Sequence, residues 1–315
     1  MQGYLLDQGD RDPAVTVLKA CLSRALTPRP ELDATPEFDA ATTAAVLRFQ
    51  REQGAKPDGV VGPLTWGLLG RALGHAAAMM PPLGDAPQWA RNLLLNHPAT
   101  TGVRGLDVPA AVALYERSFG VLATRQREGL TALLSAISTD EAITDVRWAA
   151  YMLATVKHEC ADRWQPIEEF GKGQGRQYGK PVAVKAEDGT VYRHAYYGRG
   201  YVQLTWDYNY RGNGRALGMG NQLLYQPELA LDPTIAYRIM SYGMRDGGFT
   251  GKKLATYISG DRCDYKGARR IINGLDQWER IQGYAVRLQA ILLASVAAPH
   301  AAPLSAPAAA AARVC

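Results

Sequence analysis

The stretch that most constrains this chain is Gly74 to about Gly105. There Ala, Pro, Met and Gly crowd together (HAAAMMPPLGDAP) and no apolar period survives. It predicts a linker with at most one short helix, so the sequence on either side has to bury its apolar residues separately. A length of 315 residues also exceeds one ordinary core and suits two. The expected organisation is a first domain over 1–73, a linker over 74–105, a second domain over 106–297 and an Ala/Pro tail over 298–315 with no apolar period, expected to be disordered.

Both pieces read as helical. Asp12-Pro13 sets an N-cap before a proline at the first helical position, and Val15, Leu18, Leu22 and Leu26 follow at helical spacing. A second helix is expected from about Asp39, with Val46 and Phe49 inward and a stop at Gly54. A turn at DGVVG (Asp58 to Gly62) precedes a short helix that starts at Pro63 and holds Trp66 and Leu69. In the second piece, helices are expected at about 125–138, 144–161, 233–246, 266–273 and 278–295. One segment breaks the pattern. In PVAVKAEDGTVYRHAYYG, alternating residues flank Asp188-Gly189, which is a strong hairpin signal. The fold class is therefore mainly α: a helical domain with a small β-hairpin beside a three-helix satellite.

Charge and composition exclude several functions. The net charge of +5 comes without a Lys/Arg run, so no nucleic-acid partner is expected. The longest apolar stretch, Ala290 to Ala298, is interrupted by Ser295 and is far shorter than the ~20 residues of a membrane span, so no stable membrane insertion is expected. The start, MQGYLLDQGDRDP, lacks a basic region, an apolar core and a cleavage site. Synthesis in the cytoplasm is expected, with another factor carrying the protein to an extracytoplasmic target. Cys21, Cys160, Cys263 and Cys315 form no CxxC pair and are expected to be reduced thiols. His158-Glu159 lacks the second histidine of HExxH, and the histidines are scattered, so neither a metal nor a cofactor is expected. The chain is expected to act as a monomer.

The chemistry concentrates between 148 and 210. Trp148, Met152, Thr155 and Glu159 are spaced by 4, 3 and 4, so an apolar stripe runs into a carboxylate. A carboxylate so placed loses solvation and keeps its proton longer, which suits a general acid; a glutamate that simply reaches solvent at a helix end reads equally well. Nine residues on, after Pro166, come Glu168 and Glu169. Two carboxylates across a groove are the machinery of glycosidic hydrolysis, while an exposed acidic pair is the plainer alternative. The block AYYGRGYVQLTWDYNY (195–210) then supplies aromatic faces, Tyr197 among them, for sugar rings, with Gln203, Thr205 and Asn209 for their hydroxyl and acetamido groups. An aromatic core strand is the competing reading, but the polar side chains at 203, 205 and 207, with 209 beyond, would then need another reason to share one face.

HEC (158–160), PIEE (166–169), YYGRGYVQLTWDYNY (196–210) and RIING (270–274) resemble, in order, the signature segments of family 19 glycoside hydrolases, the chitinase-like enzymes that include many phage endolysins. The resemblance implies a lysozyme-like helical fold and inverting hydrolysis of β-1,4 bonds beside N-acetylated sugars. It implies Glu159 as general acid, Glu168 as the base that activates water, with Glu169 a competitor for that role, and Thr205 as a holder of the water. Gln203, Asn209 and Asn273 match sugar-binding positions. AVLRFQREQG (45–54), DGVVG and Thr65-Trp66 resemble the three-helix peptidoglycan-binding domain. Together they imply an endolysin of muramidase type, cutting between N-acetylmuramic acid and N-acetylglucosamine. A chitinase on N-acetylglucosamine polymers and a secreted antibacterial effector with the same chemistry are the alternatives.

Overall fold

The computed structural model describes residues 5–73, 103–260 and 262–296. Of the expected linker over 74–105, residues 74–102 lie outside them, as does the Ala/Pro tail over 298–315.

Each of the first three helices begins where its cap requires. Helix α1 (Pro13–Ala25) starts after Asp12, whose carboxylate accepts from the Ala14 amide at 2.7 Å. Helix α2 (Ala40–Glu52) starts after Asp39, which accepts from the Thr42 amide at 2.8 Å. Helix α3 (Pro63–Ala72) opens on its proline. The DGVVG turn between α2 and α3 is fixed by Gln50, which is buried, donates to Asp58 Oδ1 and the Val60 carbonyl and accepts from the Gly59 amide. Phe49, Val46, Leu18 and Leu22 form the expected inward face.

Among the described residues, six longer helices build the rest: α4 (Val108–Phe119), α5 (Thr124–Thr139), α6 (Val146–Glu159), α7 (Asp207–Ala216), α8 (Pro233–Asp246) and α9 (Trp278–Ser295). The fold is mainly α, as expected. Asp232 caps α8 by accepting from the Thr234 and Ile235 amides, and Gly247 ends it in the left-handed conformation at φ 85°. Helix α6 is the centre: residues 149–157 are all buried, with α9 packed along its length. The 148–152–155–159 stripe is thus only part of a helix covered all round.

Among the described residues, three antiparallel strand pairs decorate the helices. The expected hairpin pairs β2 (Val182–Lys185) with β3 (Val191–His194), in register Val182 with His194 and Lys185 with Val191. Gly189 turns at φ 89°, and Asp188 accepts from the Thr190 amide. The site is built on β1 (Ile167–Glu168), which pairs with β4 (Arg199–Gly200). A third pair, β5 (Ile258–Ser259) with β6 (Arg262–Cys263), closes against α6, where Trp148 Nε1 donates to the Ile258 carbonyl.

Two expectations and one competing reading are corrected. Helix α4 forms at a place where none was expected, capped by Asp107, which accepts from the Ala110 amide, and opened by Val108-Pro109. The block 195–210 is not a strand with one polar face. Only Arg199–Gly200 is strand; the chain reverses so that Leu204 bonds back to Arg199, passes left-handed residues Gln203 (φ 53°) and Trp206 (φ 70°), and enters α7 at Asp207. The expected helix over 266–273 is one turn (Tyr265–Ala268) followed by a 3-10 turn (Arg269–Ile271).

The first three helices do not stand apart. Residues 14–23 of α1 are all buried, because α1 meets α2 and α3 on one side and α9 on the other. The Ala34 amide donates to Ser118 Oγ of α4 at 2.8 Å in a buried position, and Arg29 reaches the Val296 carbonyl.

Candidate active site

Glu159 is the last residue of α6, and its side chain is 17% exposed. Its surroundings are not the apolar end of a stripe. Arg269, almost wholly buried, donates from Nη1 to Glu159 Oε1 at 2.8 Å, and its Nε holds the Asp276 carbonyl. The adjacent His158 imidazole is held below its usual range, chiefly by burial. Arg269 lies 110 residues from its partner, and only its neighbours in the RIING block drew notice in the sequence. Asn273, at the end of the same turn, is exposed, and its side chain accepts from the Gly274 amide.

The link from Glu159 to β1 is tightly pinned. Ala161, Asp162 and Trp164 all have positive φ (48°, 63°, 57°), conformations that cost non-glycine residues energy and persist only when the surroundings impose them. Asp162 is gripped by the buried Lys157, and Gln126 of α5 donates to the Asp162 carbonyl. Lys157 also meets Tyr115 Oη at 2.7 Å and sits over the Tyr115, Phe119 and Tyr284 rings. Trp164 is fully buried.

Glu168 receives a 2.6 Å hydrogen bond from Tyr197 Oη and an ion pair from Lys172 Nζ at 3.0 Å. The Tyr197 hydrogen bond first, then Lys172, hold its carboxyl below the usual glutamate range. Beneath it the buried Arg199 guanidinium lies 3.7 Å from the centre of the Tyr197 ring, bonding the Tyr197 carbonyl and Tyr210 Oη. Tyr197 is thus a partner of a carboxylate more than a free stacking face. Glu169 accepts from Tyr178 Oη at 2.9 Å and from the Gly198 amide at 3.0 Å, which ties it into the strand pairing.

Gln203 does not point an idle amide at a ligand. Its Nε2 donates to the Ile167 and Gly200 carbonyls, stapling β1 to β4 beside Glu168. Gly198 lies close against it, since a Cβ there would stand 2.7 Å from Gln203 Oε1 and that side chain would have to shift. Asn209 donates to the Thr205 carbonyl at 3.0 Å, bracing the backbone that carries the half-buried Thr205. Trp206 and Tyr208 are the exposed rings, stacked at 5.8 Å. The candidate residues therefore fall into a Glu159–Arg269 group and a Glu168–Tyr197–Lys172 group, and among the described residues no hydrogen bond or ion pair joins the two. Lys172, Arg199 and Tyr178 were missed by the sequence reading, although each lies in or beside a quoted segment. A cation four residues after Glu168 was the available signal for Lys172.

A helical body with one candidate carboxylate at a helix end and another on a small strand fits a lysozyme-like glycoside hydrolase. Residues 131–245 match the family described as chitinase class I, and residues 11–69 match the putative peptidoglycan binding domain. The chain thus carries a family 19 glycoside hydrolase domain behind a peptidoglycan-binding one. Among curated relatives, Endochitinase 2 of Gossypium hirsutum is 50% identical over 110 residues, 32% of this chain and 36% of that protein. Chitinase 3 of Oryza sativa subsp. japonica is 32% identical over 113 residues, 32% of this chain and 34% of that protein. Endochitinase 1 of Theobroma cacao is 54% identical over 44 residues, 14% of this chain and 13% of that protein. The matches thus span between 13% and 36% of these relatives' length. The crystal structure of chitinase C from Streptomyces griseus HUT6037 aligns at 23% identity and a TM-score of 0.38, over 59% of this chain and 76% of that one.

Proposed function

We propose that this protein is a peptidoglycan hydrolase of muramidase type, cleaving β-1,4 bonds between N-acetylmuramic acid and N-acetylglucosamine with inversion. The observation that carries this reading is the pairing, in one chain, of a peptidoglycan-binding domain with a chitinase class I domain. A module for the wall polymer has no use on chitin. In the proposed mechanism, Glu159 protonates the leaving oxygen. Glu168, kept ionised by Tyr197 and Lys172, takes a proton from water while Thr205 positions that water. Gln203 and Asn209 act by holding the backbone of β1 and of Thr205, and Asn273 offers an exposed amide to the sugar. The chain would act as a monomer, made in the cytoplasm and reaching the wall with another factor's help.

A second reading, a chitinase on N-acetylglucosamine polymers, is favoured by the names of the relatives. Turnover of purified sacculi against colloidal chitin separates the two, with mass spectrometry of the reducing ends released. Muramic-acid ends from sacculi at a rate well above chitin turnover are expected; chitin turnover alone would make the protein a chitinase.

A further inference from the structure

Beside Glu168 lies a pocket of about 380 Å³ whose walls include Arg163, Ile167, Phe170 and Lys172. Its two cations differ. Lys172 is paired with Glu168, while Arg163 makes no ion pair with another described residue. Its guanidinium stands over the Phe170 ring at 5.1 Å, and Phe170 itself is 70% exposed. A large ring left in water and an unpaired guanidinium together form an amphipathic platform that a sugar bearing a carboxylate would cover. The backbone holds this platform in place. Asp162 is gripped by Lys157 on one side of Arg163 and Trp164 is buried on the other, and both have left-handed backbones, so Arg163 between them is turned outward. Energy stored in such a loop marks a site where a side chain has to be presented.

We propose that Arg163, stacked on Phe170, is the specificity-determining residue that binds a carboxylate carried on the lactyl arm of muramic acid, and so selects peptidoglycan over the uncharged chitin chain. This rests on the peptidoglycan reading above. The carboxylate has two sources, the stem peptide or the bare lactyl group, and the guanidinium suits either.

The test compares kcat/KM on four soluble substrates: stem-bearing glycan strands, the same strands with carboxylates converted to amides, strands stripped to the free lactyl acid by an amidase, and N-acetylglucosamine oligomers. The wild-type protein is expected to prefer the acidic strands to the amidated ones. In Arg163→Ala that preference should fall about tenfold, through KM more than kcat, and Arg163→Lys should recover part of it. Where a stem is attached the lactyl carboxyl is already an amide, so a preference for stem-bearing over amidated strands assigns the stem carboxylates, and a preference for the stripped strands alone over the amidated ones assigns the lactyl acid. An identical preference in wild type and Arg163→Ala overturns the role of Arg163 while leaving the hydrolase reading intact. Failure of the wild type on every muramic-acid strand, with cleavage of the oligomers, overturns the peptidoglycan reading and this inference with it. Arg163 is exposed, so thermal melting of both variants should match wild type.

Discussion

Glu168 and Glu169 are consecutive yet meet different neighbours, because successive side chains on an extended segment point to opposite faces. Glu168 meets a phenol and an ammonium, while Glu169 is tied to Tyr178 and the Gly198 amide. Glu168→Ala is therefore expected to abolish hydrolysis, and Glu169→Ala to lower it less, by loosening the strand pair; the reverse ranking would move the base to Glu169. Glu159→Gln keeps the shape but has no proton to give, so a loss of about a hundredfold or more in kcat is expected with unchanged melting. A base must be ionised, and the carboxyl of Glu168 titrates below the usual glutamate value, so activity should persist below that value and fail on further acidification. Tyr197→Phe removes the leading cause, so the acid limb of the pH–kcat profile should move up. The same ionisation favours the folded state above the unfolded glutamate's value and is lost as pH falls through the lower folded one. An unmoved limb would show that Tyr197 does not set it. The two carboxylates were legible in sequence because each ends or follows a patterned segment. Arg269 was not, since a pair 110 residues apart leaves no local trace.

Elements announced by caps were the legible ones. Asp12-Pro13, Asp39 and Asp232-Pro233 start helices where expected, and Asp188-Gly189 turns the hairpin. Helix α7 was hidden because its N-cap is Trp206, a residue with no capping side chain, held in a left-handed backbone. Helix α4 had its signal, Asp107-Val108-Pro109, but abutted the Ala/Pro stretch and was overlooked. The loop from Glu159 to β1 was illegible too, since its conformation depends on Lys157 of α6, Gln126 of α5 and Tyr115 of α4, which bond Asp162 from outside the loop. Gly129 of α5 shows how close that packing is: a Cβ there would stand 2.2 Å from the Trp164 carbonyl oxygen. Glycine to alanine within a helix usually gains up to about 1 kcal/mol, whereas a clash with fixed backbone costs more than that. Gly129→Ala is thus expected to destabilise the protein by about 2 kcal/mol in chemical denaturation and to lower activity by shifting the loop. A stabilised variant would show that this approach is loose.

At the scale of the whole molecule, the Ala/Pro stretch argued for two separate cores, and the described residues show a shared boundary. Helix α1 is buried all round because α9 covers the side that α2 and α3 leave open. An exposed α1 would leave Lys19, Thr16 and Ser23 as an ordinary polar face; here all three are buried, with Lys19 paired to Asp33. The Ala34 amide reaches across to Ser118 Oγ, and Arg29 to the Val296 carbonyl. Contacts of this kind couple folding, so calorimetry of the intact chain should show one cooperative transition over both domains. Ser118→Ala leaves the Ala34 amide buried without its acceptor, a loss of about 1–3 kcal/mol. If the coupling is real, that substitution, made in α4, lowers the single transition as a unit. Two transitions in the intact chain, with only one moved by Ser118→Ala, would mean that the domains touch but fold independently.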